Sequence, residues 1–273
     1  MTHPIPAPVG AQLRQWRTRR QLSQLALALH AEVSTRHLSC VETGRAVPSR
    51  EMILRLADRL EVPLRERNRL LTAAGFAPMF AARSLDDPAM VPAHDALRLL
   101  LEAHEPFPAL VVDRHWNLLL HNRAVPLLLE QVPAELLQPP MNVLRLSLHP
   151  DGLAPRIVNH AAWRGHVLHR LRQQVAASGD ETLRALESEL AAYPAPAGRS
   201  EAGATHAVEP VPVVPLVIDT AFGRLSLMST TTVFGTPVDV TLAELALETF
   251  LPADAATAAA LRGALAEAPL EAA

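Results

Sequence analysis

Residues 22–49 read LSQLALALHAEVSTRHLSCVETGRAVPS, and the punctuation of this stretch decides the fold of the first third. Ser23 and Ser34 stand eleven residues apart, each just ahead of an apolar-periodic run. A serine in that position accepts a hydrogen bond from a free backbone N–H of the first helical turn. The spacing predicts one helix over 24–30, a turn through 31–33 and a second helix over 35–43. Gly44 is placed to end the second helix with a positive φ. Leu25, Ala26 and Leu29 are expected to face inward from the first helix, and Leu38 and Val41 from the second.

The flanks extend the pattern. Segment 10–20 (GAQLRQWRTRR) puts Leu13, Trp16 and Arg17 on one helical face. Ser49 is a third cap, for a helix over 50–60 that carries Glu51 in its first turn and buries Ile53, Leu56, Ala57 and Leu60. Pro63 opens a fifth helix over 64–74, closed by Gly75. Two short helices around a tight turn form a helix-turn-helix. In that geometry the first helix braces across a duplex's phosphates and the second fits a major groove ~12 Å wide.

Charge points the same way. The 273 residues sum to −3, but residues 1–83 hold 13 arginines against six carboxylates, a local +7, and the rest carries −10. A basic third joined to an acidic remainder suggests that the basic part meets a polyanion. There is no lysine; every fixed cation is arginine. With 49% hydrophobic and 19% charged residues, a wholly disordered chain is excluded. No apolar run reaches the ~18 residues of a membrane span. The N-terminal residues lack the charged start and apolar core of a signal peptide. Cys40 is the single cysteine, which excludes an internal disulfide and a cysteine-built zinc site. A cytoplasmic protein with no membrane partner is expected.

Residues 10–75 resemble the Cro/repressor-type helix-turn-helix family, also called the xenobiotic-response-element family. The resemblance rests on Ser23-Gln24, Ala28, Val33-Ser34, Leu38, Glu42-x-Gly44-Arg45 and Pro48-Ser49. It implies double-stranded DNA as partner, bound by a homodimer on half-sites about one turn (~34 Å) apart. Gln24 would bond a phosphate and support the reading helix. Ser34 opens that helix, and Thr35, Arg36, Ser39 and Cys40 form its exposed face with His37 beside them. Arg36 has the geometry for guanine O6 and N7. Arg45, Ser49 and Arg50 are placed for phosphates. Arg17 and Glu42 match a family ion pair whose role is structural.

Beyond residue 76 the pattern changes. Residues 77–92 read as a linker, followed by a helix over 93–104 with Leu97, Leu100 and Leu101 on one face. Then come a strand at 110–113, a turn at Arg114-His115, a strand over 116–121 and Asn122 as cap of the next helix. A long amphipathic helix is expected over 155–177, a second over 181–192, and a loop over 194–210. Residues 213–219 and 223–234 look like a hairpin. The run 240–251 fits a strand by alternation and a helix through Leu242, Leu245 and Ala246. Asp254 caps a final helix.

This order resembles a PAS domain with helices inserted in its middle. Together with the first third, it is similar to regulators that carry an MmyB-like ligand-binding domain. The matching pieces are ALVVDRHWNLLLHNRA, NVLRLSLHPDG and FGTP…LPAD, and they select the strand at 240–251. The fold class expected is thus two domains: an all-α five-helix helix-turn-helix bundle, then an α+β PAS-like domain with an antiparallel sheet and inserted helices. The boundaries are 1–76, a linker at 77–92, 93–252, and a tail helix at 253–273.

The resemblance implies a small hydrophobic, fatty-acid-like ligand and no resident cofactor. Leu146, Ile157, Trp163, His166, Val167, Arg170, Leu227 and Leu245 are the expected ligand residues. Leu144, Leu148, Leu171, Val217, Met228 and Leu247 are further apolar candidates. A carboxylate head would need a donor from Arg156, Arg164, His166 or Arg170. Ordinary core packing is the competing reading of every apolar position. Twelve histidines raise two alternatives. His121 or His160 would serve as a haem ligand, while His166 and His169 share a face but lack an acidic co-ligand, so no metal is assigned. No GxSxG, GxGxxG or phosphate loop is present, so no catalytic residue is assigned. A protein-interaction module is the remaining alternative.

Overall fold

A computed structural model describes residues 7–196 and 213–268; most of the expected loop at 194–210 lies outside the described residues. The chain forms two compact units. One holds the residues up to Leu85 with Ala176–Ser178 and Thr236–Ala243, and the other holds the remainder.

The first unit contains α1 (Val9–Arg19), α2 (Gln24–His30), α3 (Thr35–Glu42), α4 (Arg50–Arg59) and α5 (Leu64–Ala73). The three serines cap as expected. Ser23 Oγ accepts from Ala26 N at 3.0 Å, Ser34 Oγ from His37 N at 3.1 Å and Ser49 Oγ from Met52 N at 3.2 Å. Gly44 and Gly75 follow their helices at φ +74° and +85°, where a side chain would be strained. Leu13, Leu27, Leu38, Ile53, Leu56 and Leu70 are fully buried. α1 packs backbone to backbone on α3 through Gly10, where an added Cβ would stand 2.1 Å from the Val41 carbonyl oxygen. One expectation fails here. Leu25 and Leu29 are 66% and 75% exposed, and Leu27 and Ala28 are buried in their place. The leucines of QLALALH alternate every second residue, so a helix cannot bury all of them.

The second unit opens with a 3-10 turn at Pro88–Met90 and α6 (Val91–His104), both starting inside the expected linker. Met90 anchors this turn in the interior. On α6, Leu97 and Leu101 are buried but Leu100 is exposed. Next come β1 (Ala109–Val112), β2 (Leu118–His121), α7 (Ala124–Leu129), α8 (Val143–Leu148), α9 (His160–Ser178) and α10 (Glu181–Ala192). The chain continues with β3 (Leu216–Thr220), β4 (Gly223–Thr232), α11 (Val240–Ala243), which belongs to the first unit, β5 (Ala246–Pro252) and α12 (Ala255–Glu267). The strands form one antiparallel sheet in the order β2-β1-β5-β4-β3. With the helices α7–α10 inserted between β2 and β3, this is the PAS-like α+β fold.

Four local expectations are corrected. The strand after Arg114-His115 begins at Leu118, because Trp116 turns at φ +69°. Asn122 does not cap α7. Its Oδ1 accepts from Ala109 N at 3.1 Å and its Nδ2 donates to the carbonyls of Leu101 and Phe107 at 3.2 and 2.8 Å. α9 starts at His160, because Pro155 lies in a separate 3-10 turn and Ile157 bridges to Ile218. Finally, 240–251 splits into α11 and β5: Asp239 Oδ1 accepts from Thr241 N at 2.8 Å and starts a helical turn. Asp254 caps α12 as expected, accepting from Thr257 N at 2.7 Å.

Candidate functional site

Two sites emerge, one in each unit. The first is the outer face of α3. Leu38 and Val41 fix its inner side in the core, which leaves Arg36 and His37 exposed and Thr35, Ser39 and Cys40 half-exposed. Ser34, Arg45, Ser49 and Arg50 flank this face and are exposed.

The last turn of α3 is held from behind. Arg17 Nε and Nη2 donate to Glu42 Oε1 and Oε2 at 2.7 and 2.9 Å, and Arg17 Nη1 donates to the Leu22 carbonyl at 2.8 Å. Gln24 Nε2 donates to Glu42 Oε2 at 2.7 Å. Burial pushes the Glu42 carboxyl up, but the hydrogen bonds from Arg17 and Gln24 outweigh it and hold the group below the usual carboxylate range. Gln24 therefore braces α3 through Glu42. This joins α1, α2 and α3 at one buried carboxylate.

The second site is a cavity of about 100 Å³ in the PAS-like unit. That is several times the space one water needs. Its walls are nearly all apolar. β1 and β2 contribute Leu110 and Leu118, α7 Val125 and Leu128, α8 Leu144 and Leu146, α9 Trp163 and Val167, and β5 Phe250. The polar lining residues are Ser147, His166, Arg170, Ser229 and Glu248. Arg170 pairs with Glu248 at 2.5 Å and lies 4.5 Å over the Trp116 ring. The Trp116 indole donates to Gln174 Oε1 at 2.8 Å, so two residues of α9 fix this cavity-lining ring. His166 stacks on Trp163 with centroids 5.5 Å apart. Burial, then the charges of Arg170 and His169, pushes the His166 imidazole down, which favours its neutral form.

The family described as MmyB-like transcription regulator ligand binding domain matches residues 93–264, well over half the chain. The chain belongs to the MmyB-like transcription regulators. A helix-turn-helix domain family matches residues 8–70 of this MmyB-like regulator. No curated protein matches it. The two matches divide the MmyB-like regulator into a DNA-binding part and a ligand-sensing part, and both families are of transcription-regulator type.

Of the expected ligand residues of this MmyB-like regulator, Leu146, Trp163, His166, Val167 and Arg170 line the cavity, as does Leu144. Ile157, Leu227 and Leu245 do not line it, nor do Leu148, Leu171, Val217, Met228 and Leu247. Ile157 and Leu227 are fully buried in the surrounding core. Two of the expected head-group donors do not line the cavity: Arg156 donates to the Leu128 carbonyl, and Arg164 Nη2 donates to the Ala191 carbonyl at 2.7 Å.

Among the described histidines only His166 lines the cavity of the MmyB-like regulator; His121 is exposed and His160 is buried in the first turn of α9. No group of three metal-ligating side chains occurs among the described residues. Among them, too, no helix is long and apolar enough to cross a membrane. Sequence reasoning missed Glu248 and Trp116. A carboxylate inside the apolar run ALETFLP was the available signal for Glu248, since such a group is buried only with a partner.

Proposed function

We propose that this protein binds operator DNA as a homodimer through the outer face of α3, and that a small hydrophobic molecule with a fatty-acid-like chain controls this from the PAS-like cavity. The observation that carries the first half is the exposure of Arg36 and His37 on a helix whose other side is locked into the core. Exposed Arg45 and Arg50 beside it supply cations for phosphates, and the +7 charge of residues 1–83 supports long-range attraction to a polyanion. The apolar walls of the cavity support the second half, because such walls favour an aliphatic chain over water. A ligand controls DNA binding only by favouring one arrangement of the protein over another.

A mobility-shift titration on genomic fragments tests the DNA reading. Arg36→Ala should relax base choice at one operator position, with a loss of ~1–3 kcal/mol. Arg50→Ala should weaken all DNA about equally and reduce the salt slope by about one. If both variants bind as the parent does, α3 is not the reading helix. If no salt-dependent binding exists at all, the first unit serves protein interaction instead. Native mass spectrometry of the purified protein reports subunit number and any retained small molecule together.

A further inference from the structure

The charged groups of the cavity are already paired. Arg170 and Glu248 are the only arginine or acidic residues among the described residues that line it, and they bind each other. Arg170 Nη1 and Nη2 donate to Glu248 Oε2 and Oε1 at 3.0 and 2.5 Å. Thr231 Oγ1 closes the cluster, donating to Glu248 Oε1 at 2.7 Å and accepting from Arg170 Nη2 at 2.5 Å.

Glu248 has little freedom to leave. It stands on β5, in register with Leu110 on one side and Thr231 on the other, and its side chain is 4% exposed. A second carboxylate on Arg170 would share one guanidinium with this buried anion, and like charges in one low-dielectric site are disfavoured.

The polar atoms left over are uncharged. Among the described residues, His166 has no hydrogen-bond partner, and a neutral imidazole offers one donor and one acceptor. Ser229 and Ser147 also line the cavity; the Ser147 hydroxyl accepts from the Trp163 indole at 2.9 Å, and each serine hydroxyl can donate one hydrogen bond. These groups match a hydroxyl, ester or ketone oxygen and cannot neutralise an anion.

We infer that the cavity takes an apolar molecule with an uncharged oxygen head, such as a medium-chain alcohol, ester or ketone, and rejects the free acid of the same chain, with Glu248 as the specificity-determining residue. This rests on the ligand reading given above and names the class of head group.

The test uses the full chain at pH 7.5 and the fluorescence of Trp116 and Trp163, which line the cavity. Titrants are 1-decanol, methyl decanoate and sodium decanoate. Decanol or the ester should bind at least about tenfold more tightly than decanoate, a factor worth about 1.4 kcal/mol. In Glu248→Gln the Arg170 charge is no longer balanced, so decanoate should gain and the order should narrow or invert. Decanoate binding the parent as tightly as decanol would overturn the inference while leaving the ligand reading intact. That comparison needs no variant, so a misfolded Glu248→Gln does not block it. An unchanged preference in a folded Glu248→Gln would remove Glu248 as the determinant and overturn the inference as stated. No response to any of the three titrants would overturn the ligand reading and the inference with it.

Discussion

Arg17 and Glu42 are joined by a two-point ion pair, 2.7 and 2.9 Å, that fastens α1 to the last turn of α3. The two side chains are 13% and 1% exposed, so water cannot replace either partner. The pair fixes α3 from its inner side without using any atom of its outer face.

Removing one partner should therefore be worse than removing both. Arg17→Met leaves Glu42 buried and uncompensated, with an expected loss of about 3 kcal/mol. Arg17→Met combined with Glu42→Leu should recover most of that loss. Urea unfolding followed through the neighbouring Trp16 measures both, and equal losses in the single and double variants would contradict the account.

Gly10 sets the separation of α1 and α3. A methyl group at this position meets the Val41 carbonyl oxygen at 2.1 Å, and backbone cannot yield as a side-chain tip can. Gly10→Ala should destabilise the first unit by about 1–3 kcal/mol and weaken operator binding together with it. A calorimetric scan and a mobility shift on the same sample check the coupling.

Asn122 is a buried stitch between α6, the loop after it and β1. Asn122→Ala strands the Ala109 amide and two carbonyls, at a cost of about 1–3 kcal/mol. Asn122→Asp should do no better, because an ionised carboxylate cannot donate to the carbonyls of Leu101 and Phe107. Thermal melts of the two variants decide the point.

Glu189 and Tyr193 should limit the second unit at both ends of the pH scale. Hydrogen bonding from Arg145 is the leading cause that pulls Glu189 down to about 2, and burial followed by the Glu189 hydrogen bond pushes Tyr193 up to about 12. For Glu189 the folded value lies below the unfolded one. Its contribution is full above about 4.5 and is lost as pH falls toward about 2. For Tyr193 the folded value lies above, so its contribution is full below about 10 and is lost as pH rises toward about 12. Glu189→Gln should flatten the acid limb in a denaturation series across pH, while the parent falls on both sides.

Val167 stands at the cavity wall with little surface exposed. Val167→Phe should occupy part of the cavity, leave the melting temperature within a few degrees of the parent's, and abolish the fluorescence response to decanol. A variant that melts as the parent does and still responds would show that the chain binds elsewhere.

The helices of the first unit were legible because their signals are local. Ser23, Ser34 and Ser49 cap the next turn whatever surrounds them, and Gly44 and Gly75 answer a purely backbone demand. The inward face of α2 was not legible, since LALAL offers apolar side chains on both faces and only its packing selects Leu27. Beyond residue 76 the strands were visible but their edges were not. Trp116 leaves extended geometry at φ +69°, and Asp239 diverts an alternating run into one helical turn, both through contacts that alternation does not encode. The cavity was half legible: α9 announced Trp163, His166, Val167 and Arg170 by helical spacing. Leu110, Leu118, Leu128 and Phe250 reach it from β1, β2, α7 and β5, far apart in sequence.

The cations on and beside α3, Arg36, Arg45 and Arg50, are all guanidinium groups, and the sequence has no lysine. A guanidinium keeps its proton beyond any pH a cell reaches, and methylation preserves its charge. Acetylation of a lysine, the common way to erase a positive charge, has no target in this sequence. The positive charge that these three side chains place on and beside α3 is thus not open to erasure by lysine acetylation, and in the proposed DNA reading ionic strength and geometry are what tune it.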